Sequence, residues 1–139
     1  MKEIKNVFLP NREIFDNLKD YIANNSSVPT YVRRVRTKEK YPLIVFQEAR
    51  NELDTRSTTY DNTTRLLNYN INIYCNHRVD NLELCEELAL LVSEVMQGYY
   101  NMQGGIIARI PTYDDTNKTS YLINMRFTSR YMPSKQKLF

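Results

Sequence analysis

Leu67-Asn68-Tyr69-Asn70-Ile71-Asn72-Ile73-Tyr74-Cys75-Asn76 is the stretch on which the fold turns. Leu67, Tyr69, Ile71, Ile73 and Cys75 alternate with Asn68, Asn70, Asn72, Tyr74 and Asn76. Successive side chains of a strand point to opposite faces, so this alternation predicts a long strand with one buried face and one wet face. A second stretch repeats the pattern. Tyr121, Ile123, Met125, Phe127 and Ser129 alternate with Leu122, Asn124, Arg126, Thr128 and Arg130.

Between these strands, Asp80-Asn81-Leu82-Glu83 has the form of a capping box, with an acid at the cap and Glu83 three residues on. Leu84, Cys85, Leu88, Leu91, Val92, Val95 and Met96 then recur at helical spacing, which predicts a helix over Leu82 to Met96 with a face broad enough to pack across a sheet. Gly98 reads as its left-handed terminator, and Gly104-Gly105 as a turn. Ile106 to Ile110 reads as a strand ended by Pro111, and Asp114 to Lys118 as a hairpin turn. The tail Pro133 to Phe139 reads as loose.

Upstream, Gln47 to Tyr60 is polar with mixed charge and no glycine or proline, and reads as an extended hairpin that reaches into solvent. Before it, Pro42-Leu43-Ile44-Val45-Phe46 begins a strand whose unbroken apolar run predicts burial on both faces. Pro42 suits a strand's first residue, where its missing N–H does least harm. Thr30 to Arg36 is a short strand candidate, followed by a charged turn at Thr37 to Lys40. The first helix is expected over Asn11 to Asn25, capped by Asn11, with Ile14, Phe15, Leu18, Tyr21 and Ile22 as its apolar stripe.

The order is helix, three or four strands, helix, two strands. Strands arriving in neighbouring runs imply an α+β fold: a mixed, mostly antiparallel sheet with two helices packed on one face, plus a long extended polar hairpin. At 139 residues the chain suits a single domain spanning 1–139. Eleven tyrosines and no tryptophan fit half-exposed strands and fit contact surfaces equally.

A net charge of +3 is too small to argue for nucleic acid by itself. No apolar run approaches the ~20 residues that span a bilayer, and Val7 to Leu9 is too short for a signal-peptide core. The expectation is a soluble protein made in a cytoplasm. Cys75 and Cys85 stand outside any Cys-x-x-Cys motif, and His77 is the single histidine, so a structural zinc site is short of ligands. The cysteines read as small buried apolar residues in a reducing compartment.

There is no glycine-rich phosphate loop, no G-x-S-x-G and no H-E-x-x-H. His77 reads as a solvated turn residue without an orienting partner. Asp114-Asp115 with Asn117 lacks the glycine and the distal glutamate of a calcium loop. Glu86-Glu87 reads as the solvated face of the second helix. The expectation is a non-enzymatic protein with no cofactor and no metal. Tyr31-Val32-Arg33-Arg34-Val35-Arg36 is the densest basic stretch; its arginines suit phosphates, and suit acids on a neighbouring strand or subunit equally.

The apolar helix Ile14 to Ile22, the Pro-led strand Tyr41 to Phe46, Asn70 to Cys75 running into the helix Leu82 to Met96, and the closing strand Tyr121 to Phe127 together resemble the tail terminator (tail completion) proteins of long-tailed phages. The resemblance covers nearly the whole chain and is one of pattern and size, since that family has no invariant short motif. It implies a ring, usually hexameric, that caps the tail tube, stops its polymerisation and offers a docking face to the head, with DNA passing through the lumen. The implied partners are further copies of the chain, the major tail tube protein and a head–tail connector. The implied location is the head-proximal end of the virion tail, after synthesis in the bacterial host.

On this reading the interface candidates are Glu48, Arg50, Glu52, Asp54, Arg56 and Tyr60, and the basic residues facing DNA or another subunit are Arg33, Arg34 and Arg36. Mixed charge in the hairpin suits a register-setting contact, and suits an ordinary mobile loop as well. The alternatives are a head-completion or neck connector on the portal side, a tail tube subunit, and a small ligand-binding or enzymatic α/β domain.

Overall fold

The computed structural model describes residues 3–35, 42–53, 65–75, 81–113, 119–132 and 137–138. Its centre is the strand on which the sequence reading turned. β3 (Arg65–Cys75) lies between β2 (Leu43–Leu53) and β5 (Thr119–Met132), antiparallel to both. Beyond β5 lies β4 (Gln103–Tyr113), and beyond β2 lies β1 (Tyr31–Arg33), giving the order β1-β2-β3-β5-β4. Only β1 runs parallel to its neighbour. A two-residue strand, β6 (Lys137–Leu138), pairs with Tyr131 and Met132 of β5.

Two helices cover one face: α1 (Glu3–Asn25), and α2 (Asn81–Ser93), which continues into a π-helical turn at Glu94–Tyr99. Fold class therefore follows the sequence expectation: α+β, with a mixed sheet.

The alternation in β3 and β5 becomes a division of labour between faces. Leu67, Tyr69, Ile71, Ile73, Ile123, Met125 and Phe127 are fully buried against Ile14, Leu18 and Ile22 of α1 and Leu88, Val92 and Met96 along α2. Burying an aliphatic or aromatic side chain of this size contributes ~1.5–3 kcal/mol. Phe46 closes one side of this core by stacking on Tyr69, with ring centroids 5.2 Å apart, and tilting against Phe15 at 5.8 Å. Leu43 to Phe46 are all buried, as their unbroken apolar run predicts. Cys75 and Cys85 are buried and unpaired, and act as the small apolar groups expected.

Several expectations are corrected. Asn11 is no cap, because α1 begins at Glu3; its side chain is buried and serves the core instead. The strand expected over Thr30 to Arg36 keeps its ladder only from Tyr31 to Arg33. The polar stretch after Phe46 is strand as far as Leu53, interrupted by a bulge between Glu48 and Arg50. The tip of the expected hairpin, from Asp54 to Tyr60, lies outside the described residues, as do the turns at 37–40 and 114–118 and the cap Asp80.

Gly98 does not adopt a left-handed conformation. That position is Asn101, at φ 56°, and the ending is built on Tyr100 N–H to Val95 O (3.0 Å) and Met102 N–H to Met96 O (2.9 Å). This is a widened form of the left-handed helix ending, matching the extra residue in the π-turn.

Gly104 and Gly105 are no turn but the beginning of β4. Gly104, at φ +140°, lies so near β5 that an added Cβ would sit 2.0 Å from the Arg126 carbonyl oxygen. Pro111 does not end β4, which continues to Tyr113. An edge strand tolerates proline, since only one side of its backbone must pair. The tail expected to be loose is tied to β5 through Lys137–Leu138.

Candidate functional site

The sheet's second face offers the clearest surface. Cross-strand register puts Asn68 opposite Thr128, Asn70 opposite Arg126 and Asn72 opposite Asn124. These side chains are half-buried, apart from Arg126, which is exposed. Asn124 Nδ2 donates to Asn72 Oδ1 at 2.6 Å, and Arg126 Nε donates to Asn70 Oδ1 at 3.2 Å. Such cross-strand pairs set the pitch of the face as well as stabilising it. Arg130 is exposed further along the same face, and Arg33 lies on it by its register with Val45. Among the described side chains, this face carries arginines and amides and no carboxylate.

The helix layer has the opposite character. Its described acids are Glu13, Asp16 and Asp20 on α1 and Glu83, Glu86, Glu87 and Glu94 along α2 and the π-turn, against Arg12 and Lys19. A chain nearly neutral overall thus separates its charges across the thickness of the domain. The signal was present in the sequence, because Arg126 and Arg130 share the parity of the wet positions of their strand. It is legible only once the register aligns the wet positions of β3 and β5.

Both sheet edges are bare over long runs among the described residues. β1 covers β2 only from Leu43 to Val45, which leaves Phe46 to Leu53 without a strand on that side. β4 pairs only with β5, so its outer side is open from Gln103 to Tyr113. This second edge exposes Ile107 at its bulge, 58% accessible, and Ile110, 43% accessible.

The expected interface residues divide as follows. Glu48 is exposed on β2 and accepts a hydrogen bond from Asn11 Nδ2. Asn11 Oδ1 accepts in turn from the Tyr69 hydroxyl, so a polar relay links α1, β3 and the β2 bulge. Burial raises the Tyr69 hydroxyl well above its ordinary value, and the nearby Glu48 charge adds to the shift.

Arg50 and Glu52 follow the bulge, opposite Asn68 and Leu66 in register. Asp54, Arg56, Tyr60 and Arg36 lie outside the described residues. Arg33 donates Nη1 to the Val32 carbonyl at 2.9 Å and stands 5.4 Å over the Tyr31 ring. Arg34 stands 4.7 Å over the Phe15 ring. The fold brings Arg34 and Glu48, far apart in sequence, to one shallow cleft of about 290 Å³ that Asn11 and Asn70 also line.

A second open cleft, of about 560 Å³, runs between α1 and the π-turn and includes Asp20, Tyr21, Glu94 and Tyr99. Tyr21 donates its hydroxyl to Glu94, and that bond to a carboxylate raises the Tyr21 hydroxyl above its ordinary value. Tyr100 is pushed up to about 12, chiefly by burial, although Asn17 donating to its oxygen works against the rise. On the far side of α2, Glu86 accepts from Arg109 Nε and, at 3.3 Å, from Nη2.

No group of three or more His, Cys, Asp or Glu able to hold a metal ion occurs among the described residues, and no helix there is long and apolar enough to cross a membrane. No protein-family model matches the sequence, and no curated protein matches it.

Proposed function

We propose that this protein is a non-enzymatic assembly adaptor, a ring-forming terminator that caps a phage tail tube and presents a docking face to the head. The observation that carries the reading is the pair of long bare edges on opposite sides of one sheet. An unpaired edge is a template for another strand, and a lone domain ordinarily shortens, charges or covers it. Here one edge exposes Ile107 and Ile110 and the other continues past Phe46 to Leu53. Two different edges on one chain support a head-to-tail contact, which closes into a ring when the rotation per subunit closes. The bulge in each edge strand bends it, which limits the partners that fit.

In this reading further copies of the chain meet at the edges, while the tail tube protein and a head–tail connector meet the two rims. Glu48, Arg50 and Glu52 on β2 set register at the subunit contact. No catalytic step is assigned to any residue.

The test is the native mass of the purified chain, together with negative-stain images, with and without tail tube protein. Discrete rings are expected. Deletion of the gene in a phage is expected to yield overlong tails without attached heads. A strict monomer in both preparations, combined with tails of normal length after deletion, contradicts the proposal.

A further inference from the structure

We infer that the uncovered face of the sheet, centred on Asn70, Asn72, Asn124 and Arg126, is a surface for the phosphodiester backbone of duplex DNA, contacted weakly and without regard to sequence. The inference rests on the terminator reading only in taking DNA as the polyanion. The surface chemistry stands independently of it.

Charge placement is the first argument. Arginines occupy this face and carboxylates the opposite layer, so a polyanion approaching the domain is attracted to one side and repelled by the other. The small net charge of +3 conceals this asymmetry.

Composition at the centre is the second argument. The middle of a protein–protein interface is typically apolar and aromatic, whereas this centre is asparagine, threonine and arginine. Surfaces that meet nucleic acid are more polar, more positive and wetter, and amide side chains are among the donors that contact phosphate.

Geometry is the third. Asn70 holds the Arg126 guanidinium through Nε, and Asn72 and Asn124 hold each other, so the donors are fixed on a rigid sheet and are not carried on a loop. With few charges and many neutral amides, the face attracts a backbone without gripping it, which suits a duplex that must move past.

The test is binding of a short labelled duplex of arbitrary sequence to the full chain, followed by anisotropy at about 50 and about 200 mM salt. The slope of log affinity against log salt is about −0.9 per phosphate contacted. Arg126→Gln/Arg130→Gln is expected to flatten that slope by about 1.8, so the fourfold change in salt costs this variant roughly tenfold less affinity than it costs the wild type. Thr128→Lys, on the same face opposite Asn68, is expected to steepen it by about 0.9, which keeps the test open if the double variant unfolds. Arg12→Gln/Lys19→Gln on α1 is expected to leave it unchanged.

The inference is overturned by any of three results. The wild type shows no saturable binding at the lower salt; the α1 pair flattens the slope as much as the sheet pair; or the sheet substitutions break self-association while no duplex binds, which assigns the face to a second copy. Duplex binding through this face combined with normal tails after gene deletion would sink the terminator reading and leave this one standing.

Discussion

Replacing Gly104 with alanine is expected to be among the most damaging single-methyl changes available in this chain. The added Cβ would lie 2.0 Å from the Arg126 carbonyl oxygen and 2.9 Å from both the Arg126 carbonyl carbon and Phe127 Cα. All three are backbone atoms of β5 and cannot swing aside as a side chain could. β4 must therefore retreat by roughly an ångström where Gly104 pairs with Phe127, whose side chain is fully buried. The φ of +140° adds a backbone penalty of about 1–3 kcal/mol for any residue with a Cβ.

Together with the loosened ladder, a loss of about 3–5 kcal/mol follows, from a total on the order of 5–15 kcal/mol. For a chain of this length each kcal/mol moves Tm by roughly 3–5 °C, so Tm should fall by roughly 10–20 °C. Gly98→Ala supplies the control. No atom lies within 4 Å of its added Cβ and its φ is not positive, so the same change should raise stability by about 0.4–1 kcal/mol through the unfolded chain. The assay is thermal unfolding of both variants, followed by circular dichroism and calorimetry. A Gly104→Ala melting point within ~2 °C of the wild type, or a lowered one for Gly98→Ala, would refute the reasoning.

Further outcomes follow from the core and its titrating groups. Tyr69→Phe removes the hydroxyl that donates to buried Asn11, leaving an acceptor without its partner; urea unfolding should show a loss of about 1–3 kcal/mol, and a change below about 0.5 kcal/mol would contradict the relay. The Cys75 thiol is raised from 9.0, first by its bond with the Cys85 thiol and then by burial, and the Tyr69 hydroxyl is raised from 10.0 by burial. Above those ordinary values the unfolded chain releases protons that the folded chain keeps, so stability is full below about pH 9 and declines as pH rises further. Urea midpoints that stay level on the alkaline side would contradict this. Both thiols should resist an aromatic disulfide reagent in the folded protein and react only on unfolding, as buried thiols do. Glu86→Gln breaks an exposed pair with Arg109, so its melting point should match the wild type within error at physiological salt.

What the sequence disclosed follows from what each residue answers to. β3 and β5 were legible because a strand buried on one face must write a period of two, and α2 because a helix lying across a sheet needs a broad stripe. Asn11 was misread because a capping residue and a core polar residue look alike in one dimension. Its partners, Tyr69 and Glu48, lie 58 and 37 positions away. Gly104 was read as a turn because a glycine demanded by a neighbouring strand cannot be told from one demanded by its own backbone until that strand is in place. Pro111 marked an edge and not an end, a distinction that depends on strand order. At the candidate site, the meeting of Arg34 with Glu48 depends on tertiary approach. The basic face had been written all along in the even-numbered positions of β5.

The turn at Glu94–Tyr99 amounts to a regular helix carrying one residue in excess. Losing a single codon there would restore ordinary winding and rotate everything downstream by about 100°. Asn101 would leave its left-handed position, Met102 would swing out of the core it now enters, and Gly104 would no longer arrive beneath β5. In genetic terms this segment is a reading-length constraint: substitutions at its exposed positions are absorbed locally, while an in-frame loss of one residue re-aims an entire edge of the sheet.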